Sequence, residues 1–107
     1  MTPTDVKSKV YASSDGARVL EVSLRLVREP HEPSALSYTA LLPKLRLVAT
    51  RSDRSEFVYL VTAGAALDSD SLDVQGYARL PQGSSGQFEV VLESWADAST
   101  VDVIDVP

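Results

Sequence analysis

The stretch that decides the fold is ARVLEVSLRLVR, residues 17–28. Its large apolar side chains recur at every second position, which places them on one face of a pleated strand, whereas a helix would spread them around its cylinder. The opposite face is mixed and includes Glu21, Ser23 and Arg25. We therefore predict a central strand of one sheet whose core residues are Leu20, Val22, Leu24 and Leu26.

The residues before this strand predict its first neighbour. Residues 4–12 alternate, with Val6 and Val10 on one side and Lys7 and Lys9 on the other. Lysines on a strand discourage pairing with another molecule, so an edge strand is expected. Asp15-Gly16 lies between the two alternating runs, a strong hairpin signal.

Five further alternating segments follow, and three carry specific expectations. Residues 56–63 are apolar on both faces, which favours a central strand covered on both sides. Gly76 either leaves room for a bulky neighbour such as Trp95 or Phe57 or marks a bulge. The last segment changes phase, which predicts a bulge or a change of burial near Val103. The five segments are residues 44–50, 56–63, 72–80, 87–95 and 100–106.

About seven short strands without a sustained helical period favour an all-β chain folded as one antiparallel β-sandwich. Residues 34–41 fit either a short helix or an extended edge segment. In length and strand number the layout resembles immunoglobulin-like and fibronectin type III domains, but it has no cysteine pair and no convincing tyrosine corner. A partly open β-barrel is the alternative.

The length of 107 residues suits one domain, residues 1–107, with its own core. No apolar run approaches the roughly 20 residues of a membrane helix, so we expect a soluble chain that does not insert into membranes. Residues 1–16 carry no apolar block of the length that a secretory signal uses. A cytoplasmic location, or a place in a particle assembled in the cytoplasm, is therefore expected.

Few groups are suited to catalysis. The chain has no cysteine, which excludes disulfides, thiolate metal sites and a cysteine nucleophile. Its one histidine, His31, lies between prolines in EPHEP, without a G-x-S-x-G or H-E-x-x-H context. An exposed loop histidine is the better interpretation, and no enzymatic activity is expected; a small enzyme using His31 or a carboxylate pair is a remote alternative.

An acidic loop offers a possible metal site. Asp68, Asp70 and Asp73 could supply oxygens to Ca²⁺, the only cofactor that the sequence suggests. The loop lacks the glycine and the terminal glutamate of an EF-hand loop. The competing interpretation is that these side chains cap amides of a turn between two strands. A Ca²⁺-responsive binding domain is thus an alternative function.

Charge is distributed unevenly along the chain. Residues 1–54 hold nine Lys and Arg against six acids (+3), and residues 55–107 hold one against nine (−8). If these charges form separate surfaces, copies could associate or a charged partner could be attracted. The alternative is that neighbouring strands come from distant parts of the chain and mix the charges on one solvated surface. The net charge of −5 argues against nucleic-acid binding. The candidate interaction residues are Glu21, Arg25, Lys44, Arg46, Arg51 and Arg54.

The sequence therefore predicts a non-catalytic interaction or assembly module. Its partner would be another protein or further copies of the chain, giving an oligomer. A small structural subunit of a larger particle, such as a phage, virion or surface assembly, fits the small size and the lack of catalytic motifs.

Overall fold

The structure is a computed structural model that describes residues 1–37, 45–51, 53, 56–94 and 97–107. Strands make up most of the described chain, because most of its segments alternate apolar and polar side chains. The strands are β1 (Thr2–Ala12), β2 (Arg18–Val27), β3 (Arg46–Arg51), β4 (Phe57–Tyr59), β5 (Val61–Ala66), β6 (Ser71–Arg79), β7 (Gly86–Glu93) and β8 (Ala98–Val106).

These strands form two antiparallel sheets of four strands each. Sheet A has the order β1-β2-β6-β5, and sheet B has the order β4-β3-β7-β8. The predicted sandwich is confirmed, with eight described strands where about seven were expected, and the two sheets remain separate rather than forming a partly open barrel. The prediction that residues 17–28 form an interior strand is also confirmed, since β2 pairs with β1 on one side and β6 on the other.

The core lies between the inner faces of the two sheets. Val22 is 2% exposed, as the alternation of β2 requires. The inner residues predicted for β3, β6 and β7 are buried as well, so binary patterning located most of the core. The largest fully buried side chains are Phe88, Leu20, Leu47, Leu72, Val74 and Val90.

The predicted first hairpin is present. β1 folds back on β2 through a turn in which the Ser13 N–H donates to the Ala17 carbonyl at 2.7 Å. Gly16 has a φ of 84°, a left-handed conformation that glycine adopts without a Cβ clash. β1 is an edge strand, as its lysines indicated, and its register shifts between Thr4 and Lys7.

The segment predicted as a central, doubly covered strand has a different position. Residues 56–63 belong to two edge strands in succession: β4 at the edge of sheet B and β5 at the edge of sheet A. β5 also extends to Ala66, three residues beyond the end of the predicted segment. The prediction that both faces of this segment are covered was therefore wrong, because its outer apolar side chains are exposed.

Two local expectations can also be compared with the structure. Residues 35–37 form one 3₁₀ turn, in which the Ser37 N–H donates to the Ser34 carbonyl at 2.9 Å; the rest of the possible short helix at 34–41 lies outside the described residues. The phase change in β8 is a bulge, as predicted. It falls at Val101, because Val90 pairs with Asp102 whereas Val91 pairs with Thr100.

Candidate functional site

His31 lies where the sequence suggested, in the exposed loop that follows β2. The neighbouring Glu32 carboxylate accepts hydrogen bonds from the Met1 ammonium at 2.7 Å and from the Glu29 N–H at 2.8 Å. These two bonds, the ammonium first, lower the pKa of Glu32 below its usual value. The carboxylate beside the histidine thus links the amino terminus to the loop that follows β2.

The acidic residues of the predicted Ca²⁺ loop have separate partners in the structure. Asp68 accepts hydrogen bonds from the Asp70 N–H at 2.8 Å and from the Ser71 hydroxyl at 3.0 Å. The backbone bond, then the hydroxyl bond, lower the pKa of Asp68. This is the turn-capping role that competed with metal binding.

The two other acids of that loop form ion pairs. Asp70 contacts Arg28 at 3.0 Å, and Asp73 contacts Arg25 at 3.1 Å. Across the described residues, no group of three or more His, Asp or Glu side chains is arranged to hold a metal ion. The Ca²⁺ site stays a prediction, and a Ca²⁺ titration followed by thermal melting tests it, since a bound ion raises the melting temperature.

The candidate interaction residues do not share one surface. Glu21 and Arg25 lie on the outer face of sheet A, and Arg46 lies on the outer face of sheet B. Arg51 ends β3 and lies 3.9 Å from Glu56. Lys44 and Arg54 lie outside the described residues.

Basic and acidic side chains alternate across the outer face of sheet A. Lys9 contacts Glu21 at 3.3 Å, and the Tyr11 hydroxyl donates to the same carboxylate at 2.8 Å. Sheet order explains this mixture, because β1 and β2 from the basic half lie beside β6 from the acidic half. In the described part of the chain the two halves therefore interleave their charges, and the asymmetry along the sequence does not become two separate surfaces.

The most unusual surface is an apolar strip along the edge where β4 continues into β5. Phe57, Tyr59 and Val61 are 60%, 58% and 62% exposed, and Tyr77 on β6, directly opposite Val61 in the register, is 55% exposed. Phe57 and Tyr59 lie on the outer face of sheet B, and Val61 and Tyr77 lie on the outer face of sheet A, on either side of the point where the chain changes sheets. We call these four residues the edge strip.

The edge strip exists because one strand changes sheets at Leu60. The Leu60 N–H still donates to the Leu47 carbonyl of β3 at 2.9 Å, after which the chain leaves sheet B and pairs with β6. The Leu47 N–H would lose its partner at that point, but the Thr62 hydroxyl accepts from it at 2.9 Å. The same hydroxyl donates to the Leu60 carbonyl at 3.0 Å, so one side chain satisfies both backbone groups.

Gly76 makes room for this crossing. A Cβ at Gly76 would lie 2.8 Å from Leu47 Cδ1 and 3.2 Å from Leu60 Cβ. The expected close approach to Gly76 is therefore present, but the neighbours are these two leucines. Phe57, one of the expected neighbours, is exposed instead, and Trp95 lies outside the described residues.

A shallow depression adjoins the edge strip on the outer face of sheet A. Its volume is about 520 Å³, and small side chains such as Ser23 and Ala63 keep it open. Val61 and Tyr77 of the strip border one side, and charged side chains of β1 and β2 border the other. The charged and hydrogen-bonding groups that line it are Lys7, Ser8, Lys9, Glu21, Ser23, Gln75 and Tyr77.

Apolar residues on both faces of residues 56–63 are the feature of the sequence that corresponds to the edge strip. A strand with large apolar groups on both faces fits double coverage, but it fits equally well a strand whose outer face is left open for a partner. The cation-π contact of Arg46 is a second feature that the sequence does not indicate. The Arg46 guanidinium lies 4.9 Å from the Tyr59 ring centroid. No aromatic residue is close to Arg46 along the sequence, and β4 supplies one across the sheet.

Comparison with known proteins adds no identity: no protein-family model, no curated protein and no solved structure matches the chain. Among the described residues, no helix is both long and apolar enough to span a membrane.

Proposed function

We propose that this protein is a non-catalytic interaction or assembly module whose edge strip docks onto another polypeptide. The observation that carries the proposal is the run of Phe57, Tyr59 and Val61, more than half exposed on successive outward positions of the consecutive strands β4 and β5. Single exposed apolar residues are ordinary on a protein surface, whereas a contiguous band of large ones is typical of a protein-binding site. Tyrosine and phenylalanine are also enriched in such sites.

The charges around the strip favour a protein over a nucleic acid. Arg46 is the basic side chain packed on Tyr59, and it is also paired with Glu93 at 2.6 Å. Glu89 lies opposite Thr50 on the same outer face, so acidic groups flank the aromatic ones. A nucleic-acid surface needs unpaired Lys and Arg to neutralise phosphates, and this face offers a mixture suited to a polypeptide.

The strand order supports a finer proposal about architecture. The orders β1-β2-β6-β5 and β3-β7-β8 correspond to the two sheets of an immunoglobulin constant-type sandwich, with β4 added at one edge. Immunoglobulin-like sandwiches host many functions, so this order bears on the fold and not on the partner. A role as a small structural subunit of a larger particle, such as a phage, virion or surface assembly, agrees with an open edge, since repeated subunits join through such surfaces.

Position-specific photo-crosslinking in cells that produce the protein tests the proposal. A photo-reactive phenylalanine analogue would replace Tyr59 or Tyr77 in the strip and, as a matched aromatic control, Tyr11 on β1. We expect a discrete protein adduct from the two strip positions and none from the control. Adducts from Tyr11 alone, or from no position, would contradict a docking role for the strip.

A further inference from the structure

The described strands give the sandwich four edges, and two of these carry devices that block further pairing. β1 carries Lys7 and Lys9 and is interrupted by a register shift. β8 carries Asp102 and Asp105 and contains the bulge at Val101. Charges and bulges on an edge strand prevent another strand from adding to the sheet.

The edge formed by β5 has neither device. Its six residues, VTAGAA, contain no charge and no proline, and they pair with β6 in an unbroken register. The remaining edge, β4, is only three residues long. In the described part of the chain no strand pairs with the outer side of β5. Among the described residues, the outer backbone groups of β5 therefore form a template for one more antiparallel strand.

We infer that this template is occupied by β5 of a second copy, with the two strands antiparallel about a two-fold axis at Ala63. The inference rests on the proposed interaction function and names its partner. An isologous contact requires a surface that is complementary to itself. β5 meets this requirement, because an uncharged strand facing its own copy brings no like charges together.

The side chains on the outer face fit this register. Outward positions of β5 and of the residue that follows it run Val61, Ala63, Ala65 and Leu67, larger at both ends and small in the middle. Turning one copy around Ala63 places Val61 opposite Ala65 of the second copy. The larger Val61 thus faces a small side chain, and two alanines meet at the axis.

The dimer belongs to the weak and transient class. A single pair of six-residue strands buries less than the roughly 1,200 Å² of a stable interface. Each copy also has a net charge of −5, so the two repel each other at low salt. Association is therefore expected at high protein concentration and should strengthen with added salt.

A single engineered cysteine tests the register, because the chain has no cysteine of its own. In the proposed dimer the two Ala63 Cα atoms lie about 4.5 to 5.5 Å apart, within disulfide range. Gln75, exposed and directly opposite Ala63 on β6, is the matched control, since two copies of it would be about 14 Å apart. Ala63→Cys should form a disulfide-linked dimer much faster than Gln75→Cys; equal rates would overturn the inference.

Sedimentation velocity on the full chain separates this inference from the proposed function. The wild type should shift from monomer toward dimer between micromolar and millimolar protein, Ala63→Lys should stay monomeric, and Gln75→Lys should behave as the wild type. A wild type that stays monomeric at every concentration and salt level overturns the second copy as partner. Crosslinks from Tyr59 to a different protein would then keep the docking function, whereas loss of both results would remove both proposals.

Discussion

The two edges of sheet A differ in every property that controls whether another strand can add. β1 is eleven residues long, charged and interrupted by a register shift, whereas β5 is six residues long, uncharged and regular. Both edges pack on the same core and pair with interior strands of the same sheet. The difference shows that a few side chains on an edge strand decide whether another strand can pair with it. β5 lacks such side chains, which identifies it as the surface left open for binding.

The comparison holds only if both edges share one core, and a charge at Val22 should destroy that core. Val22→Asp places an unpaired carboxylate where 2% of the side chain is exposed, and it also removes a burial worth about 1.5–3 kcal/mol. We expect loss of the cooperative thermal transition. Ser23→Asp, one residue along on the outer face, is the control and should melt like the wild type. A cooperative Val22→Asp variant near the parent melting temperature would contradict the core assignment.

The position of β5 depends on the close packing around Gly76, so a methyl group added at Gly76 should lower the stability of the fold. Gly76→Ala forces Leu47 and Leu60 to move and should lower the free energy of unfolding by about 1–3 kcal/mol. Denaturant titration measures this change. The exposed neighbour Gln75→Ala should cost less than about 0.5 kcal/mol. Equal effects of the two substitutions would show that the close approach does not matter.

Substitutions at Thr62 test the hydrogen bonds at the point where the chain passes from sheet B to sheet A, and they change the packed volume little. Thr62→Val leaves the Leu47 N–H without its acceptor and should cost about 1–3 kcal/mol in the free energy of unfolding. Thr62→Ser keeps the hydroxyl and should recover most of that stability. Were the serine variant as unstable as the valine variant, the methyl group rather than the hydroxyl would be responsible.

Removing the lysines of β1 should make β1 more similar to β5 in its ability to pair with a strand of another copy. Lys7→Thr combined with Lys9→Thr leaves the core intact but removes the charges that oppose pairing. Combined with Ala63→Lys, which blocks β5, this variant should regain a weak self-association in sedimentation velocity at high concentration. The register shift after Thr4 keeps that association weaker than the one through β5. A strictly monomeric triple variant would mean that the lysines are not what protects β1.

The smallest effect concerns pH at the β1 edge. A hydrogen bond from Tyr11, then the bond from Lys9, lower the pKa of Glu21 below its usual value of 4.5. A carboxylate with a lowered pKa stabilises the folded state above the unfolded pKa and loses that contribution as pH falls through the folded pKa. Glu21→Gln should therefore melt slightly below the wild type at neutral pH, and the gap should close as pH falls below 4.5. A gap independent of pH would contradict this role.

The sequence was sufficient for the interior strands and their inward faces. β2 could be recognised because its apolar groups all lie on one side, a pattern that fits only a half-buried strand. Asp15-Gly16 identified the first hairpin for an equally local reason, the left-handed turn that glycine permits. For β2 and the first hairpin, the local pattern and the final structure agree.

The strand that changes sheets could not be placed by the same reasoning. Leu60 has the spacing of any inward residue, and nothing in its pattern shows that the chain passes from one sheet to the other there. Exposure of Phe57 and Tyr59 depends on β4 lying at an edge, which is decided by long-range pairing. The ion pair of Arg25 with Asp73 likewise joins residues far apart in the sequence, so which charges meet is decided by long-range pairing.

Amide hydrogen exchange measured at increasing protein concentration tests the central claim most directly, because it reads the backbone of both edges in one experiment. The account predicts that the amides of β5, residues 61–66, exchange more slowly as concentration rises, while those of β1 keep the same rates. Unchanged exchange in β5 up to millimolar protein, or new protection in β1 instead, would contradict the claim that β5 is the open edge of the sandwich.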